Sequence, residues 1–590
     1  MVPADPARPA EEGPFTISLQ LGGPRAARLR ALPNSDQAYC IFPQPGYAGL
    51  SIVALTPRGL YYGARTLAQL ISYSADDGSV QMPIIRVTDW PDLSERGLWG
   101  SDSFLHLPWL GRHKMNVVEQ IAAIWVDGEG RGQGRMKTGR EAMLTLGPAH
   151  GILPVPAVLH LNQLSSKGLF EAYPELVPRG GDKGAVCLSQ PAFSKVLADW
   201  IVALGSMPWV KDVDVWLTEN LHGRGGCRCE QCKQTDRNVL ETRAVLRGWR
   251  LARERLPGVG LRILLSEETY RSNNLVLAEL PPEVKVVYYH SLLTYTAGRC
   301  SIVPRLMQAA AQGGRWIGIT PQLTGTVGPA APFTGAEFIR FRMREITGKG
   351  LSSVTGYATP RLAHCRFNVE ATAEWSWNPG GRTPHEFAFS YAVRHGLPKP
   401  EKFARWSELI GPVQWRMYGS DWPVGERRRA LRPVVKALQD GKLPGLGKLQ
   451  LGTYRFPWAE YKTEQQVLDD VTTADRSVAL SREMAQPQLV QESLYTQGCA
   501  RALLALVRLK RLLHNQPPGQ SSGAQASQEM ERFSAGCRQA AGAVRAWALM
   551  IDPELDPEPE SRYWQVEQVL IQLADDMERL KATRVPAGEE

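Results

Sequence analysis

The sequence predicts an α/β protein built from a small N-terminal α+β domain, a central (β/α)8 barrel and a C-terminal α-helical domain. Three observations carry this reading. Short apolar strands and one helix pattern fill the first ninety residues. Eight strand-length apolar runs then alternate with helical stretches over about 300 residues, as a barrel of eight strand–helix units requires. Beyond residue 400 the strand signal fades and long amphipathic patterns replace it.

The elements follow in order. Residues 1–14 are rich in Pro, Ala and Glu and read as disordered. Within 15–92, FTISLQL, AYCIFP and GLSIVALT read as strands, GLYYGARTLAQLISYS as a helix and MPIIRVTDW as a further strand. The barrel spans 93–400, with strands at 96–101, 116–121, 153–161, 212–218, 261–267, 285–290, 315–320 and 351–357. Parallel strands covered on both faces read as near-continuous apolar runs, and these do. A doubly wound sheet is the rival, but no phosphate-type glycine loop follows any strand. The helical domain takes 401–590, with patterns such as ESLYTQGCARALLALVRLKRLLHN.

At 590 residues the chain needs more than one core. Apolar residues at 43% and charged residues at 22% suit a soluble globular protein. The net charge of +9 is spread along the chain, with no basic stripe interleaved with aromatics, so nucleic acid is not an expected partner. No run of about 18 apolar residues occurs, so no membrane span is expected. The N-terminus shows no signal peptide. That predicts a cytoplasmic protein if the chain is complete, and a secreted or periplasmic one if a leader has been removed. Seventeen Trp suit either sugar-stacking surfaces or large cores.

Three segments carry a resemblance. Gly63, Thr66, Leu67, Gln69 and Leu70, followed by Asp89, Pro91, Arg96 and Gly97, match the junction that leads into the barrel of family 20 β-hexosaminidases. The stretch 173–233 holds YPEL, then CLSQP, then Cys227-x-Cys229-x-x-Cys232, and resembles family 163 endo-β-N-acetylglucosaminidases. FNVEATAEWSWNPGG, from Phe367, is similar to the end of the barrel in that group and in α-glucuronidases. The resemblance implies a glycosidase acting on β-linked N-acetylhexosamine glycans, by a retaining route and with no catalytic cofactor. An α-glucuronidase-type enzyme and an inactive carbohydrate-binding protein are the alternatives.

Glycoside hydrolysis needs an acid for the leaving oxygen and a second group for the oxocarbenium-like charge. Glu219 lies just past the fourth strand, where family 20 enzymes place their general acid. The preceding Asp of that family, which holds the 2-acetamido group, is replaced here by Thr218. Glu267 and Glu268 end the fifth strand and are the expected further catalytic carboxylates; Glu370 is a remaining candidate. The resemblance implies that Arg96 grips sugar hydroxyls, with Asp102 beside it. Tyr289 and His290 end the sixth strand and Tyr357 the eighth, so all three are expected at the substrate, with Trp375 and Trp377 as a stacking wall. Cys187, Cys227, Cys229 and Cys232 suit a structural zinc, two disulfides or buried thiols. In each case they pin the loop that follows Glu219.

Overall fold

A computed structural model of the chain describes residues 15–44, 49–73, 79–100, 102–219, 226–290, 294, 297–324, 330–423, 434–447, 460–514, 523–556, 558 and 561–584. The segment 1–14, expected to be disordered, lies outside them.

The N-terminal domain contains β1 (Thr16–Leu21), β2 (Tyr39–Pro43), β3 (Gly49–Ala54), α1 (Pro57–Leu70) and β4 (Val87–Asp89). The sheet order is β1-β3-β2-β4. Thr56 caps α1 by accepting from the Gly59 amide, and Pro57 opens its first turn. Gly63 lets α1 lie on the sheet, because a Cβ there would stand 2.4 Å from Ile52.

Eight parallel strands then close a barrel. They are β5 (Glu95–Trp99), β6 (Val117–Ile121), β7 (Leu153–Val158), β8 (Asp212–Trp216), β9 (Gly260–Ser266), β10 (Lys285–His290), β11 (Ile317–Pro321) and β12 (Ser353–Tyr357). Each falls on one of the eight apolar runs. The helices outside them include α2 (Ala192–Gly205), α3 (Arg237–Arg255) and α4 (Arg366–Trp377).

Alternation along the strands sends every second side chain inward, and the inward set forms three tiers. At the N-terminal end, Arg262 forks onto Glu95 at 2.7 and 3.0 Å and reaches Asp212 at 2.7 Å. Lys285 bridges the same two carboxylates at 3.1 and 2.8 Å. In the middle tier, Glu119 from β6 meets Asp214 from β8, both almost fully buried. At the C-terminal end lies a layer of aromatic rings.

The middle tier has consequences for stability. Burial, and then the charge of Asp214, push the Glu119 carboxyl well above its ordinary range. Burial raises Asp214 to about 6, although Arg262, the Trp216 indole and Glu119 oppose the shift. Glu119 Oε2 and Asp214 Oδ1 receive no donor from any other described group. A proton shared between the carboxyls satisfies both. Groups with raised folded-state pKa values contribute stability at low pH and lose it as pH rises through the folded values. Stability therefore falls from about pH 4 upward through 6 and continues to fall as Glu119 ionises. Glu119→Gln keeps a donor toward Asp214 and removes that titration. Its thermal midpoint is expected to exceed that of the parent at pH 8 and to lose the advantage at pH 5. Parallel midpoint–pH curves for the two proteins would contradict this.

The C-terminal part is helical: α5 (Pro400–Gly419), α6 (Glu464–Met484), α7 (Pro487–His514), α8 (Gly523–Ile551) and α9 (Gln565–Arg584). Helices α7 and α8 cross at Gly498 and Gly536, where a Cβ on either would meet the other's carbonyl oxygen at 2.6 or 2.8 Å. The domain is fastened to the barrel through buried polar contacts. Thr334 donates to Glu492 at 2.8 Å, and Tyr418 donates to the Pro332 carbonyl at 2.7 Å. Among the described residues no helix is long and apolar enough to cross a membrane.

Candidate active site

The C-terminal mouth of the barrel gathers the groups that suit sugar chemistry. Trp99, Trp216, Tyr289 and Tyr357, from four different strands, form a floor across it. Trp99 stacks on Tyr357 with centroids 4.4 Å apart and lies 5.3 Å from Trp216. Tyr289 stands edge-on to Trp99 at 6.2 Å and to Tyr357 at 6.2 Å. Trp216 and Tyr289 are buried, whereas Trp99 and Tyr357 are half-exposed. Flat apolar faces of this kind match the C–H face of a pyranose.

Glu219 stands at the edge of this floor, only 8% exposed. Its carboxylate is 3.4 Å from His160 Nε2. The His160 ring packs against Trp216 at 5.1 Å, and its Nδ1 lies 2.8 Å from the Leu217 carbonyl. A carbonyl can only accept, so Nδ1 carries a hydrogen. In the neutral ring Nε2 is then bare. That nitrogen faces the Glu219 carboxyl, with no other side chain between them.

The backbone beneath Glu219 is fixed from outside the barrel. The Thr218 amide and hydroxyl both donate to Glu241 of α3, at 2.8 and 2.6 Å. Asn238 donates to the Thr218 carbonyl at 3.0 Å. The Thr218 hydroxyl is committed to Glu241, so an acetamide group would have to be held from elsewhere.

Asp102 also lies at the mouth, after β5. It accepts from the Leu362 amide at 2.9 Å and faces His106 Nε2 at 3.3 Å. Burial opposes its ionisation, but these donors outweigh it and hold the carboxyl below its usual range. Arg361 lies 3.8 Å from Asp102 and 2.8 Å from Asp552, which brings the C-terminal domain to the rim. Glu267 and Glu268 follow β9, the strand next to β8. The Glu267 charge acts on Tyr288, a tyrosine that burial has already pushed far up. The Glu268 amide donates to Ser266 Oγ at 3.1 Å.

Five expected site residues lie elsewhere. Arg96 is the second residue of β5 and so belongs to the opposite, N-terminal end. Only 1% exposed, it donates to the Leu93 and Lys114 carbonyls and to Gln37, and lies over the Trp377 ring at 4.9 Å. It joins the small domain to the barrel. Trp377 is part of that joint, with its indole donating to Asp89 at 2.8 Å. Trp375 is fully buried on α4 against Phe387. His290 follows the inward Tyr289 and takes the outer side, beside Thr294 at 3.4 Å; burial, and then Arg342, lower its pKa to about 4. Glu370, also on α4, is clamped by His395 at 2.7 Å, Arg394 at 3.0 Å and His113 at 3.5 Å. Burial opposes its ionisation, yet these partners hold its carboxyl far below the usual range.

His160, Trp99, Trp216 and Glu241 were not singled out from sequence. Each sits in or beside an apolar run where the residue type alone looks like core. Strand-end positions on the inward register were the available signal for Trp99 and Trp216; His160 lies just past its strand, out of that register.

The four cysteines do converge. The sulfurs of Cys187, Cys227, Cys229 and Cys232 all lie within 4.8 Å of one another.

No protein-family signature matches the chain, and no curated protein does. Solved structures share its fold. A family GH138 enzyme targeting pectin rhamnogalacturonan II superposes with a TM-score of 0.63 at 12% identity, over 96% of this chain and 93% of that one. A family GH115 4-O-methyl-alpha-glucuronidase with specificity for decorated arabinogalactans gives 0.55 at 11% identity, over 95% and 74%. A family 89 glycoside hydrolase from Clostridium perfringens, in complex with PUGNAc, gives 0.51 at 10% identity, over 98% and 73%. The chain therefore has the fold of these glycoside hydrolases along almost its whole length.

Proposed function

We propose that the protein is a glycoside hydrolase that cleaves β-linked N-acetylhexosamine glycans by a retaining route, with Glu219 as general acid. The observation that carries this reading is the buried Glu219 carboxyl, 3.4 Å from His160 Nε2 and beside an aromatic floor at the C-terminal mouth of the barrel. A proton source next to a sugar-stacking surface is what cleavage of a glycosidic bond needs.

The second carboxylate is assigned to Glu267 or Glu268. Trp216 pairs with Leu264, so the end of β8 lies beside the end of β9. The N-acetylhexosamine preference is supported by the two segment resemblances around Gly63–Gly97 and Cys187–Cys232. No cofactor enters the chemistry.

A panel of aryl glycosides tests this. Release from the β-N-acetylglucosaminide, or cleavage of a β-GlcNAc-linked oligosaccharide if the enzyme acts internally, with the β-anomer appearing first by NMR, is the expected outcome. Release from an α-glucuronide alone would replace the substrate class. Binding of N-acetylglucosamine with no turnover of any substrate would make the protein a carbohydrate-binding one.

A further inference from the structure

We propose that Cys187, Cys227, Cys229 and Cys232 bind a structural zinc ion that ties the loop after β7 to the loop after β8. The inference does not depend on the reaction the protein catalyses. It rests on how Cys187 is brought to three cysteines some 40 residues further along the chain.

Cys187 lies in the segment between β7 and α2, and the other three lie between β8 and α3. Cys187 and Cys229 sulfurs are 3.8 Å apart, and all four lie within 4.8 Å of one another. A zinc ion bound tetrahedrally by thiolates at about 2.3 Å sets its sulfurs about 3.8 Å apart. Disulfides would instead draw the sulfurs into pairs at about 2.05 Å. The cluster shows one common neighbourhood, which suits a single central ion.

Thiols are weak acceptors, yet backbone amides converge on these atoms. The Arg179 amide donates to Cys227 Sγ at 3.3 Å. The Cys232 amide donates to Cys229, and the Ser189 amide to Cys187. Four thiolates around a divalent zinc leave two net negative charges, and the flanking chain is basic at Arg179, Arg228 and Lys233. The two loops are also laced by main-chain bonds, with the Arg228 amide donating to the Arg179 carbonyl at 2.9 Å. Cysteines 187, 227 and 232 are buried and Cys229 is half-buried, so the ion would be shielded from water.

The consequence is mechanical. His160 stands at the start of one loop and Glu219 at the start of the other. A zinc ion would cross-link the segment before α2 to the segment before α3, and structural zinc sites contribute folding energy directly.

The test uses the full-length protein, purified without chelator. Elemental analysis is expected to find about one zinc per chain, the stoichiometry of a closed four-thiolate site. Titration with an organomercurial in the presence of a zinc-sensitive dye should release that zinc as the four thiols are consumed. The thermal midpoint should fall with the release. Cys187→Ser and Cys229→Ser should each lose the zinc, whereas Cys40→Ser should retain it. Should the serine variants fail to fold, release from the parent protein still decides the matter. The proposal is overturned by a metal-free protein whose four thiols react freely, by an intact mass lower by four hydrogens, which would mean two disulfides, or by iron in place of zinc.

Discussion

Glu219→Gln is expected to lower turnover of a β-GlcNAc-linked glycan by roughly 10²–10⁴-fold, the range for loss of a positioned general acid. The substitution keeps the shape of the side chain. Its amide nitrogen can still donate to His160 Nε2, 3.4 Å away in the parent, so the fold should survive. What disappears is the transferable proton. An activated aryl glycoside has a leaving group that needs little protonation, and its first step should suffer far less than that of the glycan. Azide should then restore turnover by attacking the intermediate without help from a base. His160→Ala serves as the companion variant. It removes the imidazole 3.4 Å from the carboxyl and should lower the rate on the glycan rather than abolish it. Equal slowing of glycan and aryl glycoside by Glu219→Gln would remove Glu219 from the acid role, and Glu267 and Glu268 would be examined next.

Arg262→Met should be the most destabilising single change in the barrel lumen. Arg262 is 3% exposed and satisfies both Glu95 and Asp212, while its guanidinium lies 5.2 Å from the Trp316 ring. Methionine fills much of the volume but leaves the buried Asp212 and the half-buried Glu95 facing Lys285 alone. Breaking a buried ion pair by removing one partner costs about 3–5 kcal/mol. Lys285 offsets part of that cost, so the lower end of the range is expected. The chain has several domains, so one unfolding free energy is not well defined for it. The appropriate measurement is the barrel transition in calorimetry, with circular dichroism at 25 °C to show that the variant still folds. An unchanged transition would mean that the cluster contributes nothing net.

Much of the fold is legible in the sequence because strands covered on both faces leave continuous apolar runs. The fourth strand, VDVW, has an aspartate in the middle and still reads as a strand, since its neighbours are β-branched or aromatic. The site is less legible. A motif fixes Arg96 in the chain but not at which end of its strand it falls, and one turn of the barrel wall separates a sugar clamp from a domain joint. The strand Tyr288–Tyr289–His290 shows the second difficulty. Only alternate residues face inward, so Tyr289 joins the floor while His290 packs outside, and the sequence does not mark the inward parity. Trp375 and Trp377 belong to a helix that runs back along the barrel after its last strand, away from the mouth. Thr218 illustrates the third difficulty. Its partner Glu241 lies 23 positions onward, on a helix face that no local pattern connects to the strand end.

The aromatic floor also makes the protein its own optical reporter. Indole rings as close as Trp99 and Trp216, with centroids 5.3 Å apart and planes inclined by 36°, share their excited states. Such a pair produces a split signal of opposite signs in near-ultraviolet circular dichroism. A sugar laid on the floor would alter the polarity around both rings and change the amplitude of the split band. Saturation by any ligand can therefore be followed without a chromogenic substrate, and Trp216→Phe would abolish the signal while leaving the other indoles to report that the chain is folded.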